Sequence, residues 1–295
     1  MRSIWRTFSF LGTHPLAKKH KTKTFLRFLK WQIGSWLNPY PLVFPFVENS
    51  RLLVSKGMTG ATGNVYTGLH EFNDMGFLLH FLRESDVFVD IGANVGSYTV
   101  LASSVVGAHT IAIEPVPSTF IHLKNNACVN QIEELVSLNN IGLGSTSDTI
   151  FFTSGLDTVN HVVTKGEAVK DAIKVNVKTL DNTLKGKAPS LIKIDVEGYE
   201  KFVLEGAIHT LNNPALNAII IELNGSGDRY GIDEHEIHQQ LLSLGFQPYD
   251  YDPFSRVLTK LGCFGSYNTI YIREEEYVLE RVQAARKFNI LGSKI

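Results

Sequence analysis

The sequence predicts an α/β fold: a mostly parallel, seven-stranded sheet whose final strand runs antiparallel, plus an N-terminal extension of helix and hairpin. Three observations predict it. From Asp86 onward, short apolar runs alternate with stretches of helical period. The first of these runs, "DVFVDIGANVGSYT" (86–99), passes from a buried-strand pattern through a glycine turn into a helix. The chain has 295 residues, 44% of them hydrophobic, enough for one large domain and a smaller appendage.

The N-terminal elements come first. Residues 14–23, "HPLAKKHKTK", are basic, and 24–37, "TFLRFLKWQIGSWL", have helical period. Phe25, Leu29, Ile33 and Trp36 fall on one face, with Lys23, Arg27, Lys30 and Gly34 opposite. Such a stripe usually packs on its own domain, and that is the expectation here. A peripheral membrane contact is the alternative, because a basic face opposite aromatics suits anionic lipid. Three prolines in "NPYPLVFPF" (38–46) end the helix and mark a boundary. Residues 51–68 read as a short hairpin, and "EFNDMGFLLHFLRES" (71–85) as a helix entering the main domain. The expected division is an extension over 1–70, a main domain over 71–275 and a C-terminal helix over 276–295.

Candidate strands follow at Val87–Ile91, His109–Glu114, Leu135–Asn140, Leu191–Asp195 and Ala218–Leu223. Helical stretches at 96–106, 117–129, 197–211 and 233–244 separate them, as parallel strands require. Two β-like runs, Thr149–Thr153 and Ile173–Leu180, interrupt the alternation and suggest an inserted hairpin. "RVLTKLG" and "YNTIYIR" read as an antiparallel pair closing the sheet, before a charged helix.

Bulk properties exclude several functions. A net charge of −1 supplies no global field toward nucleic acid. The two cysteines, Cys128 and Cys263, lie far apart and outside any CxxC spacing, which argues against a zinc site or a disulfide framework. No long uncharged apolar run suits a membrane span, and the N-terminus does not read as a signal peptide, so the expected location is the cytoplasm.

The glycine turn carries the functional signal. A doubly wound sheet binds ligands beyond its C-terminal strand ends, where the strand order reverses. Gly92 and Gly96 would permit the tight turn and a close approach of ligand to backbone. Glu114 ends the next strand, where a carboxylate commonly grips a ribose diol. Both NAD and S-adenosylmethionine meet that description. The pattern here is D-x-G-x-N-x-G, with Asn94 in place of the middle glycine of the dinucleotide motif. Asp90 at the strand tip would repel a pyrophosphate and attract an ammonium and a sulfonium.

A second cluster, "LIKIDVEGYE" (191–200), puts Asp195 at another strand end, and "IIIELN" does the same for Glu222. Each is either a helix cap or an acid lining a reaction pocket. "FVDIGANVGSYT", "IAIEP" and "IKIDVEGYE", in that order and spacing, resemble the FkbM family of S-adenosylmethionine-dependent methyltransferases. The match covers about residues 86–225, and "GNVYTGLHEFNDMGFLLHFLR" and "HPLAKK" upstream also look like bacterial members. The resemblance implies a Rossmann-like class I methyltransferase fold with S-adenosylmethionine as cofactor. It implies that Asp90, Gly92, Asn94 and Gly96 surround the methionyl part, that Glu114 holds the ribose, and that Gly142 lies near the adenine.

It also implies O-methylation of a hydroxyl on a sugar, glycolipid or polyketide-like product. An alcohol acceptor needs its proton removed as the new bond forms. Asp195 is the first candidate base by position, with Glu71 and His161 as others. Asp195 and Glu222 would make half of a cation site, too little to assert a metal. The competing readings are an NAD-dependent oxidoreductase and a binding protein that kept the fold. No nucleic acid partner is expected, and the sequence is silent on oligomeric state.

Overall fold

The computed structural model describes residues 2–155, 160–164, 167 and 172–295, with side chains from residue 7 onward. We number the strands of its main sheet β1 (Val87–Ile91), β2 (His109–Ile113), β3 (Val136–Asn139), β4 (Leu191–Ile194), β5 (Ala218–Glu222), β6 (Gln247–Asp252), β7 (Val257–Lys260) and β8 (Asn268–Ile272). Their order is β7-β6-β8-β5-β4-β1-β2-β3. The five strands β1 to β5 pair in parallel. β8 lies antiparallel between β5 and β6, the arrangement of a Rossmann-like methyltransferase sheet. The chain moves outward from β1 to β3 and returns to β4 on the other side of β1. That reversal opens a crevice at the C-terminal ends of β1 and β4.

The sheet has eight strands rather than seven. The two C-terminal runs expected to pair with each other do not. β6 lies between them and pairs with both β7 and β8. "QPYDYD" escaped notice because Pro248 and two aspartates argue against a strand. Its alternation is regular nonetheless: Tyr249 and Tyr251 are buried, and Asp250 and Asp252 are exposed. The inserted hairpin forms between Asp148–Thr153 and Ala172–Lys178, and Gly142–Leu143 joins it as a third strand.

Successive residues of each central strand point to opposite faces and build two cores. Phe88, Ala112, Leu191 and Ile220 face one cluster, shared with the N-terminal helices and with Phe72–Phe81. Val89, Ile111, Ile192 and Ile221 face the other, covered by the helices Glu200–Glu205, Ile208–Asn212 and Glu234–Ser243.

The N-terminal region departs from expectation twice. Its hairpin pairs Leu42–Pro45 with Arg51–Val54, and Thr59–Thr67 is a helix. The glycines of "TGATGNVYT" read as turn signals, but Gly63 serves close packing. A Cβ there would sit 2.2 Å from His70 Nδ1. The second departure is the helix Lys21–Leu37. It buries Thr24, Phe28, Trp31 and Ser35, while Phe25, Leu29, Ile33 and Trp36 are solvent-exposed. Both faces are apolar, so periodicity could not choose between them. Polar partners on the domain made the choice. Arg27 Nε donates to the Tyr66 carbonyl at 2.9 Å and Gln32 Nε2 to Tyr66 Oη at 3.1 Å. Phe28 packs edge-on against Tyr66.

Candidate active site

A cavity of about 440 Å³ occupies the crevice and extends under the helix Thr59–Thr67. That volume suits one small-molecule ligand. Asp90, Gly92, Asn94, Glu114, Gly142, Glu71, Asp195 and Glu222 all line it. Seven of the nine site residues expected from sequence, and Glu222 besides, thus meet in one place.

His161 does not line the cavity. It is buried beside the inserted sheet, with Nε2 2.9 Å from Glu167 Oε1. Gly96 lies beneath the wall rather than on it. It caps the helix starting at Ser97 with φ of +90°, and a Cβ would press on Leu123 Cδ1 at 2.6 Å.

The turn after β1 is shaped by the protein's own packing. Gly92 and Ala93 both donate to the Ile113 carbonyl at the end of β2. Gly92 has φ of +76°, and an added Cβ would stand 1.8 Å from the Asp195 carbonyl oxygen. The close approach that demands glycine is therefore to the end of β4, not to a ligand. Asn94 also has positive φ, 50°, a conformation asparagine tolerates better than other side-chain-bearing residues.

Both oxygens of Glu114 accept backbone N–H groups, Oε2 from Asn94 at 3.0 Å and Oε1 from Val116 at 2.9 Å. Each oxygen keeps a second lone pair for a ligand hydroxyl. Burial pushes this carboxyl up to about 7, against the pull of those two N–H groups.

Around β4 the cavity becomes a charge cluster. Lys193 Nζ donates to Asp195 Oδ2 at 2.6 Å and lies 4.8 Å from the centre of the Tyr98 ring. Burial pulls its pKa down, but Asp195, Glu71 and Asp90 together outweigh burial and hold the ammonium above its usual range. Asp90 is almost fully buried, accepts from Thr99 Oγ1 at 2.6 Å, and is raised by burial against the pull of Lys193. Glu71 accepts from Tyr98 Oη at 2.6 Å and from Asn268 Nδ2 at 3.0 Å. Glu222 is pushed up to about 9 by burial and by the Asp195 charge.

A third acid completes the group at the strand ends. Glu197, in the turn after β4, places its carboxylate with those of Asp195 and Glu222 inside 4.8 Å. Burial and Asp195 raise Glu197 to about 7. A divalent cation would accept this spacing, but Lys193 Nζ already occupies one Asp195 oxygen at 2.6 Å and sets a positive charge beside the trio, and we assign it no metal. Methyl transfer should therefore survive EDTA, with loss of turnover on chelation and recovery on adding Mg²⁺ as the contrary result.

Sequence reading missed Lys193, Tyr98, Asn268 and Glu197. Lys193 sits at an alternation-breaking position of "LIKID", inside an otherwise apolar strand, and that was the available signal. Tyr98 and Asn268 carried none, because only the fold brings Tyr98 to the cavity and Asn268 behind Glu71.

Residues 90–248 match the methyltransferase FkbM domain. The chain belongs to the FkbM methyltransferase family. The hexuronic acid methyltransferase AglP of Haloferax volcanii is 29% identical over 209 residues, spanning 70% of this chain and 74% of that protein. Among solved structures, the precorrin-6y C5,15-methyltransferase of Geobacter metallireducens aligns over 75% of this chain and 93% of its own. Its identity is 12% and its TM-score 0.42. The Streptococcus mutans protein SMU.1697c, in complex with SAH, aligns over 68% and 96%, with 12% identity and the same TM-score of 0.42. Family membership decides between the readings left open by the glycine turn: this FkbM chain is an S-adenosylmethionine-dependent methyltransferase.

The cavity's own chemistry fits that cofactor. Asp90 and Glu71 line the cavity with carboxyl groups of a kind that can pair with an ammonium and a sulfonium, and Glu114 carries paired acceptors of a kind that suits a diol. S-adenosylhomocysteine should raise the melting temperature by mass action, and NAD should not. A shift with NAD alone would contradict this fit.

The Glu114 carboxyl supplies a pH signature. Ribose hydroxyls would donate to its ionised form, which predominates above about 7. S-adenosylhomocysteine should bind more tightly as pH rises through that value, and calorimetry on either side checks it. An affinity independent of pH would reject Glu114 as the ribose acceptor.

Proposed function

We propose that this FkbM methyltransferase methylates a hydroxyl oxygen of a saccharide, with Asp195 as the proton acceptor. One observation carries the reading: the acids at the ends of β4 and β5 share a cavity with the residues suited to the cofactor. When bound, S-adenosylmethionine supplies an electrophilic methyl group on a sulfonium leaving group. Asp90 and Glu71 would hold its methionyl end, Glu114 its ribose, and Gly142 would lie beside its adenine. Asp195 and Glu222 would then face the acceptor. Near neutral pH Glu222 keeps its proton, since its carboxyl titrates near 9, so it can donate to a sugar oxygen. Asp195 can accept the hydroxyl proton as the bond to carbon forms. A saccharide fits the Haloferax volcanii relative, whose name makes a hexuronic acid its acceptor.

The test is transfer of a labelled methyl group to a panel of neutral sugars and uronic acids, followed by mild alkali. A hydroxyl acceptor yields an alkali-stable ether. Label confined to uronic acids and released by alkali would place the methyl group on a carboxylate and overturn the hydroxyl reading.

A further inference from the structure

We propose that the N-terminal segment docks this protein onto an anionic lipid bilayer, with the outer face of Lys21–Leu37 lying in the interface. Phe25, Leu26, Leu29, Ile33, Trp36 and Leu37 are 36–77% exposed along that helix. At about 100° per residue these six span an arc of about 120°, on the side opposite buried Phe28 and Trp31. Exposed large apolar residues are ordinary when scattered. Six on one helix form a continuous stripe, and a stripe of that kind marks a contact surface. Phe8 of the preceding helix stacks on Phe25 and widens it.

Charge identifies the occupant. Of the 28 Lys and Arg residues, eight fall before residue 31, and no Asp or Glu precedes Glu48. The remaining 20 face all 29 acids, so a net-negative body carries a purely basic N-terminus. Glu48 itself pairs with Arg286 and does not offset it. Lys23 and Lys30 are exposed along one edge of the apolar stripe and Lys21 along the other. There the ammonium groups can reach headgroups while the aromatic and aliphatic groups enter the acyl boundary. An anionic bilayer satisfies both features, since its surface potential attracts basic residues while its acyl boundary takes up the apolar ones. A second copy of this chain would cover the apolar stripe but set like charges against each other. Among the described residues no helix is long and apolar enough to cross a membrane, so the contact is peripheral.

The surface also has a place relative to the cavity. The inner face of Lys21–Leu37 packs on Thr59–Thr67 through Arg27, Phe28 and Gln32, and Thr59, Gly60, Ala61 and Asn64 of that helix line the cavity. Docking would hold the active site one helix layer from the lipid.

Sedimentation of the full chain with vesicles tests this. The protein should pellet with phosphatidylcholine vesicles containing phosphatidylglycerol, and much less with pure phosphatidylcholine or at high salt. Ile33→Ser/Trp36→Ser/Leu37→Ser should cut binding at least about ten-fold, and Lys23→Glu/Lys30→Glu should do the same. All five positions are exposed and outside the cavity, so thermal melting with S-adenosylhomocysteine should be unchanged and serves as the folding control. Failure of the wild-type protein to pellet with anionic vesicles overturns the proposal. So does equal pelleting of both variants, or light scattering that shows a dimer lost in the triple-serine variant.

Discussion

Asp195→Asn should lower methyl transfer about 10²–10⁴-fold at saturating substrate, the worth of a positioned proton acceptor, with little change in S-adenosylhomocysteine affinity. The substitution keeps the shape and an oxygen that can still accept from Lys193 at the position of Oδ2. It removes the negative charge. In the wild type Glu222 is no competing base near neutrality, because its own carboxyl sits near 9 while Asp195 is charged. The same coupling gives a second readout. With the Asp195 charge gone, Glu222 should titrate lower, and the residual activity of the variant should follow pH differently from the wild type. If Asp195 gripped the cofactor ammonium instead, affinity would fall while turnover at saturation was nearly kept. If Asp195 only shaped the turn into the next helix, asparagine would serve as well and neither quantity would move. Measuring binding and turnover on this one variant separates the three roles.

The sequence made the β1 to β5 half of the fold legible, and the reason is burial. Central parallel strands are covered on both faces and read as apolar runs such as "FVDI" and "IIIE". The C-terminal half was less legible because β6 is an outer strand that alternates tyrosine with aspartate around a proline. The acids of the site were legible because each closes such a run: Asp90, Glu114, Asp195 and Glu222. Lys193 was not, since an ammonium inside a buried strand makes sense only once Asp195, Asp90 and Glu71 are seen to converge on it. The Lys21–Leu37 helix failed for a different reason. Periodicity finds an apolar face but cannot say which of two such faces meets the protein, and here hydrogen bonds to Tyr66 decided. Gly92 lines the cavity, but the close approach that requires a glycine there is to the Asp195 carbonyl.

That reason can be checked, because Gly92→Ala should destabilise the fold by about 2–5 kcal/mol. Left-handed backbone costs a residue with a Cβ about 1–2 kcal/mol, and overpacking a close contact adds about 1–3 kcal/mol. The contact is severe: the Cβ would stand 1.8 Å from the Asp195 carbonyl oxygen and 2.9 Å from its carbon. Neither side can easily retreat. Gly92 and Ala93 are tied to Ile113 of β2, and Asp195 N donates to Ile91 of β1. Gly225→Ala is the proper comparison, because Gly225 has φ of +89° and nothing within 4 Å of an added Cβ. It carries the backbone strain without the collision. Urea unfolding of the two variants should therefore differ by about 1–3 kcal/mol, the overpacking contribution alone. Since the displaced atoms belong to Asp195, Gly92→Ala should also depress turnover in whatever fraction still folds, and Gly225→Ala should not match that loss. Equal destabilisation by the two would mean that the approach of β4 to the turn does not fix the glycine, and that a ligand lying against the backbone must account for it.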